Sequence, residues 1–144
     1  MNTLKIALAI ILGFIAGSAV NMGLIMIGSH FISPPPGVDL TNTEALKAAM
    51  PLLGPQYFLF PFLAHALGTL FGALIAYLIA PLGKKTTSAW VIGIMFLVGG
   101  IAASFMIPAP LWFILADLIL AYLPMAWLGT KIGAYLKPDN TYVG

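Results

Sequence analysis

Hydrophobic positions along this chain gather into four long blocks, separated by short stretches rich in proline, glycine and lysine. The first, Ile6–Ile27, has 22 residues and no formal charge. As a helix rising about 1.5 Å per residue it would span about 33 Å, enough to cross a bilayer's hydrocarbon core. The second runs from about Gln56 to Ala80 and stops at Pro81-Leu82-Gly83-Lys84-Lys85. The third covers Ala89–Ile107 and ends at Pro108-Ala109-Pro110. The fourth begins at Leu111, is apolar to about Leu128 and continues with a polar tip to Leu136. Pro124 should kink it, because proline lacks an N–H and crowds the carbonyl four residues earlier. The pattern predicts an all-α integral membrane bundle, one domain over residues 1–144 with spans at 6–27, 56–80, 89–107 and 111–136. The first block outruns the apolar core of a secretory signal, so it reads as a helix that is kept.

Between the first two blocks lies a loop over residues 30–54. Pro34-Pro35-Pro36-Gly37 is stiff and extended and then turns. Thr41 and Glu44 have capping-box spacing, which predicts a short helix over Asn42–Met50. Leu46, Ala49 and Met50 would form its apolar face, as in a helix lying at a membrane interface.

Composition narrows the chemistry. The chain is 61% hydrophobic and 7% charged, too few charges to clothe a soluble domain of 144 residues. It has no cysteine, which removes disulfides, thiol nucleophiles and thiolate metal sites. All six basic residues are lysines, so the bidentate guanidinium capture of phosphate is absent. No basic stripe interleaves with aromatics, and no nucleic-acid partner is expected. His30, Asp39 and Glu44 are too loosely spaced for a metal site, and no metal or cofactor is predicted.

Charge placement gives orientation. Lys5, Lys84, Lys85, Lys131 and Lys137 fall on one side of a four-span bundle. By the positive-inside rule both termini are cytoplasmic and the proline loop faces outward, in a bacterial inner membrane.

Small residues mark the helix faces that pack closely. Gly13 and Gly17 share a stripe in the first span, with Asn21 next along it. Gly68 and Gly72 do so in the second. Gly100 marks the third, and Gly129 and Gly133 the inner end of the fourth. Three strongly polar residues interrupt the spans: Asn21, His65 and Asp117. Counted from the outer ends, they lie at depths of roughly 9, 13 and 9 Å, less than a helical turn apart. The expectation is one outer-half cluster that handles a ligand or a proton, with Thr69 as a hydrogen-bond partner. A carboxylate at this depth costs about 2.5–3.5 kcal/mol on insertion scales, so Asp117 needs a partner.

Pro34-Pro35-Pro36-Gly37-Val38-Asp39, Glu44-Ala45-Leu46 and Phe60-Pro61-Phe62-Leu63-Ala64-His65 resemble small bacterial four-helix membrane proteins with a proline-rich first outer loop. Ile107-Pro108-Ala109-Pro110-Leu111-Trp112 and Pro124-Met125-Ala126-Trp127-Leu128-Gly129 extend the resemblance over most of the chain. It implies the inner-membrane setting and carries no activity, so no catalytic residue follows from it.

Three functional readings stay open at the level of sequence. One is a non-enzymatic protein that binds or translocates a small molecule at Asn21, His65 and Asp117. A second is a structural subunit whose glycine faces join a homodimer or a larger membrane complex. The third is a membrane-embedded enzyme using His65 and Asp117 for proton transfer on a lipophilic substrate.

Overall fold

The computed structural model describes residues 2–39 and 42–139. Six α-helices account for most of them: α1 (Asn2–Phe31), α2 (Thr43–Ala49), α3 (Leu59–Ile79), α4 (Lys85–Met106), α5 (Leu111–Leu120) and α6 (Leu123–Leu136). No strand occurs among the described residues. Four stretches are long and apolar enough to cross a membrane: Asn2–Phe31, Pro55–Ile79, Lys85–Met106 and Leu111–Leu136.

The boundaries differ from the expected ones in ways the local chemistry explains. Helix α1 is longer at both ends than the uncharged block, since Lys5 and His30 are tolerated where the helix leaves the bundle. Helix α4 starts at Lys85, ahead of its apolar block, because the preceding reversal is closed by Lys84 N–H donating to the Pro81 carbonyl at 3.0 Å. Gly83, with φ 75°, supplies the left-handed position of that turn. The loop helix is capped by Asn42, whose Oδ1 accepts the Glu44 N–H at 2.9 Å and the Ala45 N–H at 3.4 Å. The expected cap, Thr41, lies outside the described residues. The fourth block is broken rather than kinked. Helix α5 ends at Leu120, and α6 begins at Leu123 with Pro124 in its first turn, where a missing N–H costs nothing.

Helix α3 is the centre of the bundle and packs on α1, α4 and α6. Its seam with α1 is built from glycine on both sides. A Cβ added at Gly13 would lie 2.7 Å from the Gly72 carbonyl oxygen, and one at Gly17 would lie 2.6 Å from that of Gly68. The relation is mutual, because Cβ atoms at Gly68 and Gly72 would each come within 2.9 Å of Gly17 and Gly13 carbonyls. The antiparallel backbones therefore touch, which maximises dispersion contact between the two helices. On the opposite face of the bundle, Gly129 meets the Leu70 backbone and Gly133 the Tyr77 ring. Ala73, Ala76, Tyr77, Ala89, Ile92 and Ala126 fill the space between α3, α4 and α6.

The two ends of the bundle are unlike. At the end where α3 stops and α4 starts, here the lysine end, Asp139 accepts the Gly83 N–H through both carboxylate oxygens, at 3.0 and 3.1 Å. At the other end, described loop residues such as Val38, Leu46 and Met50 share the lining of a cavity with the helix tips.

Candidate functional site

Beneath the loop is a cavity of about 680 Å³. Its walls come from the last turns of α1, the first half of α3, the end of α4 and the start of α5, with loop residues including Val38, Leu46 and Met50 above. The lining is mostly apolar. Several of its polar groups are turned back into the protein: Ser29 Oγ donates to the Met26 carbonyl and Ser104 Oγ to that of Ile101, both at 2.7 Å. The Tyr57 hydroxyl donates to the Ser33 carbonyl at 3.2 Å.

His65, in the second turn of α3, lines this cavity and is tied behind it. Its Nδ1 lies 2.8 Å from Asp117 Oδ1, on α5. The second oxygen, Oδ2, accepts the Tyr122 hydroxyl at 2.8 Å. Asp117 and Tyr122 are buried, and a quarter of the His65 side chain is exposed. The His65 and Tyr122 rings lie roughly parallel, with centroids 5.8 Å apart.

An ionised carboxylate only accepts hydrogen bonds, so with Asp117 ionised both neighbours donate to it. Nδ1 then carries a proton, and Nε2 is the nitrogen left for a ligand. With Asp117 ionised, Tyr122 and Asp117 set both the orientation and the tautomer of the imidazole that lines the cavity.

Tyr122 reaches Asp117 because of the helix break. On a continuous α-helix, positions five apart point about 140° away from each other, given 3.6 residues per turn. The interruption at Ala121–Tyr122 returns the Tyr122 ring to the bundle interior. Gly100 makes room for it, since a Cβ there would run into the Tyr122 hydroxyl. Pro124 was the only advance signal, and it marked a bend without naming the residue that the bend would turn inward.

Two of the expected cluster members do other things. Asn21 makes no hydrogen bond to His65 or Asp117 among the described residues. It sits on the glycine seam, where a Cβ at Gly68 would lie 3.1 Å from its own Cβ. Depth alone had grouped it with the pair, but His65 turns toward α5 while Asn21 follows the α1 stripe toward Gly68. Thr69 Oγ1 donates to the His65 carbonyl at 2.8 Å, so it serves the backbone of α3 rather than the carboxylate. His30 Nδ1 is 2.9 Å from the Met26 carbonyl, and no group of three metal-ligating side chains occurs among the described residues.

Compared with family models, curated proteins and solved structures, the chain matches none.

Proposed function

We propose that this is a multi-pass protein of the bacterial inner membrane that binds a small lipophilic molecule in the loop-end cavity, with His65 as its polar contact. In this reading both termini are cytoplasmic and the loop end faces outward, as the lysine asymmetry indicates. The membrane setting is supported by four apolar helices of sufficient length. It also fits the large apolar side chains exposed around the bundle, such as Leu8, Ile15, Val98, Phe105 and Ile119.

The observation that carries the ligand reading is a histidine on the wall of a largely apolar cavity, held from behind by Asp117 and Tyr122. A polar clamp between helices would need only the hidden part of this arrangement. Here the ring is also partly exposed and lines an open space, as in pockets where a few placed polar groups orient an apolar ligand. The resemblance to small inner-membrane proteins is compatible with this and adds no activity.

The same geometry weighs against the competing readings. Acid–base chemistry by the His65–Asp117 pair needs both groups within reach of one substrate, and of the two only His65 lines the cavity. Translocation needs a continuing path, and beyond the pair the bundle is filled by Ala73, Ala76, Tyr77 and Ile92. A structural role in a complex keeps one specific support: a Cβ at Gly23 or Gly99 would meet nothing within 4 Å, so these small surfaces are open to another helix.

Native mass spectrometry of the protein released from detergent tests the proposal. The wild type should carry a lipophilic adduct that is reduced in His65→Phe and lost in Ala103→Phe, which fills the cavity from α4. Adduct occupancy unchanged in both folded variants, or no adduct on the wild type, would defeat it.

A further inference from the structure

The lysine end of the bundle holds a second pocket, of about 600 Å³, lined by Lys5, Lys85 and Lys137 with Asn2, Ile79 and Leu82 among its other walls. We infer that this pocket binds the phosphate of an anionic phospholipid headgroup. The inference rests on the membrane reading above but not on the loop-end cavity.

Three ammonium groups around one pocket repel one another, and the fold holds two of them there with helix ends. Lys85 is almost wholly buried, and its Nζ donates to the Lys137 and Pro138 carbonyls at the end of α6, at 3.0 and 3.1 Å. The same ammonium lies 5.5 Å from the centroid of the Tyr77 ring. Lys137 Nζ donates to the Leu78 carbonyl, near the end of α3, at 3.2 Å. Carbonyls at helix C-termini carry partial negative charge and suit cations, but they do not neutralise them.

These bonds use two of the three ammonium hydrogens on Lys85 and one of the three on Lys137. The donors that remain, together with exposed Lys5, make the pocket positive. The described residues at this end carry five lysines against one carboxylate, Asp139, so the charge there is net positive.

The rest of the lining identifies the kind of anion. Among the described residues no aromatic ring lines the pocket, so none of them offers a nucleotide base a stacking surface. Ile79 and Leu82 are apolar and exposed beside the lysines. A phosphate joined directly to an apolar chain satisfies both surfaces. In the proposed orientation the pocket also falls at the cytoplasmic interface, where anionic headgroups lie and basic pockets between helices take them up.

The test uses the full chain in a non-ionic detergent, titrated with short-chain phosphatidylglycerol, phosphatidylcholine of the same chain length, and inorganic phosphate. Affinity is read from the rise in unfolding temperature. Phosphatidylglycerol should bind more tightly than either of the others. Lys5→Gln and Lys137→Gln should each weaken it about fivefold, as expected for one lysine near a headgroup. Lys131→Gln removes the same charge from the same end without touching the pocket and should leave the affinity unchanged.

Equal losses in Lys131→Gln and Lys5→Gln would overturn the site in favour of diffuse surface charge. Equal binding of phosphatidylcholine would overturn it as an anion site, and equal binding of inorganic phosphate would overturn the lipid as its source. Ala103→Phe should leave all three affinities unchanged, so failure of the cavity reading would not be mistaken for failure of this one.

Discussion

The lysine-end half of the bundle and the loop-end half are made from the same four apolar blocks, yet they use them differently. Toward the lysine end, glycine and alanine let α3 press directly on α1 and α6, and the interior is solid. Two of the polar side chains there serve the fold, with Lys85 and Lys137 each donating to backbone carbonyls at helix ends while keeping further hydrogens for the pocket they line. Toward the loop end the helices line a cavity, and His65 on its wall has a hydrogen bond at Nδ1 and none to Nε2 among the described residues. Close packing and satisfied polar groups build stability, whereas a held but incompletely satisfied ring beside a void is a binding arrangement. The contrast gives each half its own expected response to mutation.

The largest effect should come from the glycine seam. Gly17→Leu would place a Cβ about 2.6 Å from the Gly68 carbonyl and, beyond it, carbons against the Phe96 ring. The carbonyl cannot retreat without separating α1 from α3, so a loss of about 3 kcal/mol is expected. Gly23→Ala, which meets nothing within 4 Å, should change stability by less than about 0.5 kcal/mol. Unfolding titrations in mixed micelles would measure both. Similar losses in the two variants would mean that helix propensity, not the seam, sets the cost.

A smaller loss is expected at the lysine end. Lys85→Met keeps the length of the side chain and its packing beside Tyr77 but leaves the Lys137 and Pro138 carbonyls without their donor. Hydrogen bonds from a charged group contribute roughly 1.5–3 kcal/mol, so a loss of about 2 kcal/mol is expected. It should be accompanied by faster proteolysis after α6. An unchanged proteolysis rate would show that these bonds do not anchor the chain end.

Much of this division can be read from the amino-acid sequence, and the failures have a common cause. Four spans follow from block length and charge alone, because hydrocarbon and backbone hydrogen bonding leave a long apolar block little choice but helix. The small residues of the α1–α3 seam are legible for a similar reason, since their four-residue spacing holds one helix face. Depth placed His65 and Asp117 at nearly one level, and they do touch. Depth carries no information about rotation, however, and so it does not show that Asn21 meets Gly68 on the seam while His65 meets Asp117. Tyr122 was hidden because its contact depends on a break that changes the rotation of everything after Ala121. Lys85 was hidden because a lysine at a span boundary reads as a topology marker, and its burial depends on the end of α6, 52 residues away in sequence.

A stability loss smaller than those at Gly17 and Lys85 is expected for Tyr122→Phe, and this substitution tests the loop-end half most sharply. The substitution retains the ring, which is buried against α4, and removes only the hydroxyl that donates to Asp117 Oδ2. Side-chain hydrogen bonds within membrane bundles average about 0.6 kcal/mol, so the protein should remain folded with a loss of about 1 kcal/mol or less. The consequence for His65 should be larger than the consequence for stability. With one donor gone, Asp117 is held by His65 alone, and the carboxylate is free to rotate about its own bond. The imidazole then loses part of its fixed orientation, and occupancy of the lipophilic adduct should fall while the unfolding midpoint barely moves. If the triad were only an interhelical clamp, adduct occupancy would follow stability in Tyr122→Phe as it does in Gly17→Leu. Plotting the two readouts against each other for both variants separates an orienting role from a structural one.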